Sequence, residues 1–365
     1  MKRVLCLLLM ILCACSARLK PSETPGPVSS AETAAEIAVQ TAAPIPETEL
    51  PTKAPAATAA PTPAPTEEPT PLPTLIAKPT PAPTKEPGQE PFTIVWASDT
   101  QTMIAYTRLQ PAFLSMCDWI VDQAEEQNFV AFFHTGDMVD DGDNYGQWRL
   151  FRSGVDRIAE KMPFFWAVGN HDEGSRQRRP WKNQPFVKAL QKDHVYNKGE
   201  TAYMILTVGD VQLLILSVCY RSEGGNNAAD WLCEVCETYR DLPAVLLVHS
   251  YLTAEGGLTD LAVPLEKSVV SQCPNIRLVL CGHTRGIMRT AFRYDDDGDG
   301  VRERIVNALM YDVQTEVEQV GYLCLLTYDP ADNSLSVTSY SPYLDDYIFN
   351  DEYPEREQFT LNNVF

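Results

Sequence analysis

His134-Thr135-Gly136-Asp137-Met138-Val139-Asp140 places a carboxylate directly behind a glycine, just where the apolar run Phe129 to Phe133 stops. Four other stretches repeat the arrangement: Ser98-Asp99-Thr100-Gln101, Gly169-Asn170-His171-Asp172, His249 after Val245-Leu246-Leu247-Val248, and Gly282-His283-Thr284-Arg285. Each follows an apolar, β-branched or aromatic run of strand length, which reads as a buried strand opening into a loop. Loops of this kind gather along one edge of a sheet, where open α/β folds bind ligands.

The pattern around these stretches is that of a layered α/β fold over residues 92–365. Phe92 to Ala97 reads as a strand, and Phe113, Met116, Cys117, Ile120, Val121 and Ala124 recur at helical spacing behind it. Tyr145 to Ala159 reads as a second helix and Pro163 to Val168 as the approach to Asn170. Ala202 to Leu206 and Val211 to Leu216 flank Gly209-Asp210, a hairpin signal because both residues tolerate positive φ. Ala244 to Val248 and Ile276 to Cys281 read as buried strands, each ending at a histidine. Turn signals at Asp295 to Gly300 and Asp329 to Asn333 imply further hairpins.

The amino-terminal quarter has a different composition. Met1-Lys2-Arg3 precedes an apolar stretch from Val4 to Ala14 that is too short to span a bilayer and reads as a secretory signal. Leu12-Cys13-Ala14-Cys15 resembles a bacterial lipobox, which implies residues 1–15 as signal and lipid on Cys15; the alternative is an ordinary signal cut near Ala17 and a freely secreted protein. Residues 16–91 carry well over half of the 28 prolines, with Thr, Ala, Ser and Glu between them. Such a segment buries too little apolar surface to offset its conformational entropy, so it reads as a disordered stalk. At ~3.1 Å per residue it would reach up to ~200 Å. An anchored stalk places the folded part outside the cytoplasm at the cell surface.

The formal charge of -20 argues against a nucleic-acid binder, which needs a basic face. Of ten cysteines, three fall in the signal, and the odd remainder is no disulfide framework. Cys233-x-x-Cys236 lies in the helical-looking stretch Ala228 to Tyr239 without a second pair at zinc spacing. A structural or incidental role is the simplest reading, a disulfide or redox role the alternative. Nothing in the sequence sets an oligomeric state.

The five stretches in this order resemble the calcineurin-like metallophosphoesterases, whose pattern runs D-x-H, G-D-x-x-D, G-N-H-D/E, a lone H, then G-H-x-H. The resemblance implies a four-layer α/β/β/α sandwich of two mixed sheets flanked by helices. It also implies hydrolysis of a phosphomonoester or phosphodiester, with two divalent metals lowering the pKa of a bridging water and clamping the reacting oxygens. Asp137 would bridge them. Asp137, Asn170, His249 and His283 complete one ligand set, whose mixture of donors suits Mn, Zn or Fe. Asp99 and Asp137 would hold the other ion, but Gln101 and Arg285 stand where the family has histidines. Gln101 can offer an amide oxygen; Arg285 has no lone pair to give.

Three readings of that departure stand open: one metal with Arg285 replacing lost charge, a working centre in which Arg285 clamps phosphate, or a pocket that has lost catalysis and binds a phosphorylated or cell-wall ligand. By the same resemblance His171 is catalytic, and Asp140 is placed to orient it. His134 reads as a hydrogen-bonded structural histidine. Asp295, Asp297 and Asp299 have the spacing of half an EF-hand loop, but Val306 at its twelfth position carries no carboxylate. An acidic hairpin turn is expected there, a weak calcium site being the alternative.

Overall fold

The computed structural model describes residues 90–175, 179–197, 199–220, 226–314 and 320–365. The expected signal, lipidated Cys15 and stalk lie outside the described residues, apart from residues 90 and 91. Parts of two polar loops, residues 174–198 and 222–227, also lie outside them.

The strands are β1 (Phe92–Ala97), β2 (Phe129–His134), β3 (Phe164–Trp166), β4 (Val195–Tyr196), β5 (Thr201–Val208), β6 (Val211–Val218) and β7 (Ala244–Val248). They continue with β8 (Ile276–Cys281), β9 (Gly286–Tyr294), β10 (Arg304–Asp312), β11 (Leu323–Asp329), β12 (Ser334–Tyr340) and β13 (Gln358–Asn362). The helices are α1 (Gln101–Ala105), α2 (Gln110–Gln123), α3 (Tyr145–Ala159), α4 (Pro185–Lys188), α5 (Asn226–Thr238) and α6 (Ala262–Leu265). A wider π turn, Glu266–Val270, carries α6 onward.

Two mixed sheets result, in the orders β13-β12-β11-β1-β2-β3 and β4-β5-β6-β7-β8-β10-β9. β1, β2 and β3 are parallel in the first, and β6, β7, β8 and β10 in the second. Strands buried on both faces are apolar throughout, and their period of two sorts side chains between layers. In β1, Ile94 and Trp96 enter the core between the sheets, while Val95 and Ala97 face the helices. In β7, Val245 and Leu247 join the same central core, while Ala244, Leu246 and Val248 face α5 and α6. Three apolar layers therefore separate four structural ones, the α/β/β/α sandwich expected from the resemblance.

The helices follow from amphipathic spacing and capping. α2 buries Ala112, Phe113, Met116, Cys117 and Ile120 along one stripe. α3 begins at Asn144, whose side chain accepts from Gly146 N and Gln147 N at 2.9 and 3.2 Å. Gly154 lets α3 approach α2 closely, since a Cβ there would lie 2.5 Å from Cys117 Sγ. The β5–β6 hairpin pairs Val208 with Val211 around Gly209, whose φ is +56°. Among the described residues no helix is long and apolar enough to cross a membrane.

The parallel strands of both sheets end on the same side of the sandwich. Asp99, Asp137 and Asn170 follow β1, β2 and β3; Tyr220, His249 and His283 follow β6, β7 and β8. Tyr220 N donates to Val168 O at 2.8 Å, tying the end of one sheet to that of the other.

Candidate metal centre

The backbone carries the strain of the site. Asp99, Asp137 and His283 have φ of 54, 53 and 69°, a left-handed region that non-glycine residues seldom occupy. Backbone bonds hold these turns: Asp99 N to Gly136 O and Gln101 N to Asp137 O, each 3.0 Å, and Gly282 N to His249 O at 2.9 Å. The glycines leave room for functional atoms. A Cβ on Gly169 would lie 2.2 Å from Asp137 Oδ1, and one on Gly282 would lie 2.0 Å from Asp99 Oδ2.

Three side chains converge on His249, which is fully buried. Its Nδ1 lies 2.8 Å from Thr135 O, so that nitrogen carries the proton and Nε2 is left with a lone pair. Nε2 in turn lies 3.1 Å from Asn170 Oδ1, 3.2 Å from His283 Nδ1 and 3.3 Å from Asp137 Oδ2. Two donors each about 2.1 Å from one ion and 90–109° apart lie roughly 3.0–3.4 Å from each other. The observed spacings fall in that range. A single cation among these atoms would satisfy all of them at once, so this donor set fits a metal ion. Asp137, His249 and His283 also lie within mutual ligating reach.

Gln101 occupies the place expected for a second ion's ligand, but its amide nitrogen faces Asp137. Nε2 donates to Asp137 Oδ2 at 3.2 Å, and the buried Oε1 has no hydrogen-bond partner. Asp99 stands behind His283: its carboxylate accepts from His283 N at 3.3 and 3.1 Å and from Ser98 Oγ at 2.6 Å. Arg285 is exposed and lines a cavity of about 140 Å³ with Arg356, Tyr353, Asn350 and Met310.

His171 lies at the mouth, its side chain 40% exposed. Nδ1 is 2.8 Å from Asp140 O and 3.3 Å from Asp140 Oδ1, while Nε2 faces inward, 4.0 Å from Asp137 Oδ2. Asp140 thus holds the ring by both backbone and side chain. His134 is buried, with Gly136 N on Nδ1 at 3.2 Å and Thr100 Oγ1 3.1 Å from Nε2. Burial and the nearby His249 push it down to about 3, so it is neutral and structural.

Three further residues belong to the site. Asp172 accepts from Val139 N at 3.1 Å and Gly169 N at 2.9 Å, bracing two ligand loops against each other. Burial and Asp137 push its carboxyl up to about 7. Asp312, at the end of β10, is pushed up to about 6, chiefly by burial. Burial and Asp312 in turn hold Asp99 well above the usual carboxylate range. At Asp137, burial works upward, but His249 and the His171 backbone N–H outweigh it and lower the value. Buried carboxylates crowded in this way resist ionising together, which a cation among them would relieve. Tyr220 closes the other side, its ring 5.7 Å from His249 and 5.4 Å from His283. Of the three, only Asp172 belongs to a quoted motif; Asp312 and Tyr220 follow strands without one.

Residues 92–285 match the family described as calcineurin-like phosphoesterase. The chain belongs to that family. Its relatives include the uncharacterised protein YvnB of Bacillus subtilis, 30% identical over 285 residues, 75% of this chain and 22% of that protein. The chain therefore spans about a fifth of that relative's length. Among solved structures, a purple acid phosphatase from yellow lupin (Lupinus luteus) seeds aligns at a TM-score of 0.52 and 14% identity. The alignment covers 76% of this chain and 55% of the lupin protein. GAP50, the anchor in the inner membrane complex of Plasmodium, aligns at 0.46 and 12% identity, over 74% of this chain and 88% of that one.

A second acidic cluster lies in the β9–β10 turn. Asp295, Asp297 and Asp299 come together there, as their spacing predicts, and Glu303 joins them. Their carboxylates accept from the turn's own backbone, as Asp295 does from Gly298 N at 2.7 Å and Gly300 N at 2.8 Å. Val306 cannot complete an EF-hand, because it is a fully buried residue of β10.

Proposed function

We propose that this protein is a metal-dependent phosphoric ester hydrolase with one firmly held ion, acting on a phosphomonoester or phosphodiester outside the cytoplasm. The carrying observation is the His249 cluster, in which Asn170 Oδ1, His283 Nδ1 and Asp137 Oδ2 all face a nitrogen whose proton is committed elsewhere. Asp137, Asn170, His249 and His283 would hold the ion, and their mixed oxygen and nitrogen donors suit Mn, Zn or Fe. A bound ion of that kind supplies Lewis acidity toward a phosphoryl oxygen and lowers the pKa of water. The single-ion reading is supported by Gln101, whose amide N–H points at the Asp137 oxygen that a second ion would share.

The chain's own groups supply the rest. With Nδ1–H directed at Asp140 O, His171 presents Nε2 inward, toward Asp137. A protonated Nε2 can give its proton to the leaving oxygen of the ester. Arg285 and Arg356, on the cavity beside the site, offer guanidinium groups to an anionic part of the substrate. A lipid on Cys15 and a stalk over residues 16–91 would carry the domain at the cell surface.

The test is hydrolysis of p-nitrophenyl phosphate and bis-p-nitrophenyl phosphate by the purified chain with Mn, Zn or Fe. Wild type should turn over at least one ester, and Asp137→Asn should not. Inactivity of wild type with every ion, together with phosphate binding that survives in Asp137→Asn, would make this a binding module instead.

A further inference from the structure

At the other end of β8 from His283, three cysteines meet beside the carboxyl half of α5. Cys233 and Cys236, three residues apart on that helix, lie on one face. Cys273, in the turn that leads into β8, places its Sγ 3.5 Å from Cys233 Sγ. Cys273 also contacts the Cys236 thiol. The turn is fixed against the helix by Asn275, whose amide donates to Cys236 O, Tyr239 O and Leu242 O, each at 3.2 Å. A cavity of about 210 Å³, lined by the three cysteines with Arg240, Gln272 and Glu237, opens the cluster to solvent. Cys233 is half-buried, whereas Cys236 and Cys273 are buried.

We infer that Cys273 is the shared partner of a three-thiol oxidation site, forming a disulfide with Cys233 and holding Cys236 as the exchange partner. The oxidant is a small-molecule disulfide. Cys233, the most accessible thiol, loses its proton and attacks one sulfur of that disulfide, forming a mixed disulfide and releasing one thiolate. Cys273 then loses its proton and attacks Cys233 Sγ, forming the internal bond and releasing the second thiolate. The two released thiolates take up the two protons, so the external disulfide is reduced by two electrons and the cysteine pair is oxidised by two. Cys236, in contact with Cys273, can exchange into the bond without a second oxidant.

The chemistry is that of a stable crosslink. The hydrogen bond with Cys273, and burial behind it, raise the Cys233 thiol above its ordinary value, opposite to the shift found in dithiol catalysts. A Cys233–Cys273 bond would staple α5 to the turn before β8 across a forty-residue separation. Stapling of this kind restricts the unfolded chain.

The experiment treats the full chain with glutathione disulfide, alkylates remaining thiols in denaturant, and maps linked peptides by mass spectrometry. Wild type and Cys236→Ser should each lose two thiols and yield a Cys233–Cys273 link. Cys233→Ser should yield a Cys236–Cys273 link instead, and Cys273→Ser neither link. A Cys273 that stays fully alkylatable in oxidised wild type would overturn the inference, as would a Cys233–Cys236 link forming in Cys273→Ser.

Discussion

Gly169→Ala probes the packing that lets the ligands converge. Gly169 precedes Asn170, and a Cβ there would lie 2.2 Å from Asp137 Oδ1 and 2.3 Å from Asp137 N. Both are closer than any real carbon contact, and the second is to backbone, which cannot swing aside as a flexible side chain would. Restoring van der Waals distance requires a displacement of roughly 1 Å between the Gly169 and Asp137 loops. Overpacking of this kind costs about 1–3 kcal/mol, a Tm loss of a few degrees or more, so the variant stays folded. The functional cost is larger, because a misplacement of about 1 Å in a reacting geometry costs on the order of a hundredfold in rate. The assays are kcat/KM on nitrophenyl esters and metal content after dialysis. Gly257→Ala is the control, since its Cβ would meet only Thr253 Oγ1, at an ordinary 3.6 Å. Gly169→Ala retaining metal and kcat/KM within about twofold of wild type would refute the claim that this close approach sets the Asp137 position.

Asp140→Ala should lower kcat about ten- to a hundredfold with little change in KM, because Asp140 contacts His171 rather than the ligand atoms; a purely KM effect would disprove the positioning role. At Glu200, burial works upward, but Lys182 and Arg179 outweigh it and lower the carboxyl. Its stabilising contribution is therefore present above the ordinary carboxylate pKa and lost as pH falls through the depressed value. Thermal melts of Glu200→Gln should be less stable than wild type at neutral pH and converge with it in acid; a constant gap down to low pH would contradict this. Millimolar calcium should raise Tm, and Asp297→Asn should abolish the shift, if the four carboxylates of the β9–β10 turn bind the ion; an equal shift in both proteins would assign it elsewhere.

The sequence read well where burial on both faces of a strand forces an unbroken apolar run. β1, β7 and β8 begin and end where those runs do, and the ligand residues at their ends were legible because glycine and β-branched residues mark the turns. α1 was not legible, since its five residues begin directly after the Asp99 turn and show no helical period. β13 and the strand order depend on long-range pairing that no local pattern encodes. In the site, Asp312 and Tyr220 come from strands with no motif, and only folding brings them beside Asp99 and the two histidines. Residue type alone allowed Gln101 to offer its amide oxygen to a second ion. In the fold its amide nitrogen donates to Asp137 Oδ2, and its Oε1 is left without a hydrogen-bond partner.

Metal stoichiometry by elemental analysis of the purified, dialysed chain tests the central claim most directly. Wild type should hold one divalent transition ion per chain and His249→Ala none, and a second ion should be gained only when Gln101→His and Arg285→His are combined. Two ions per wild-type chain would contradict the single-ion centre, and an ion retained in full by His249→Ala would show that the converging donors around His249 are not what holds it.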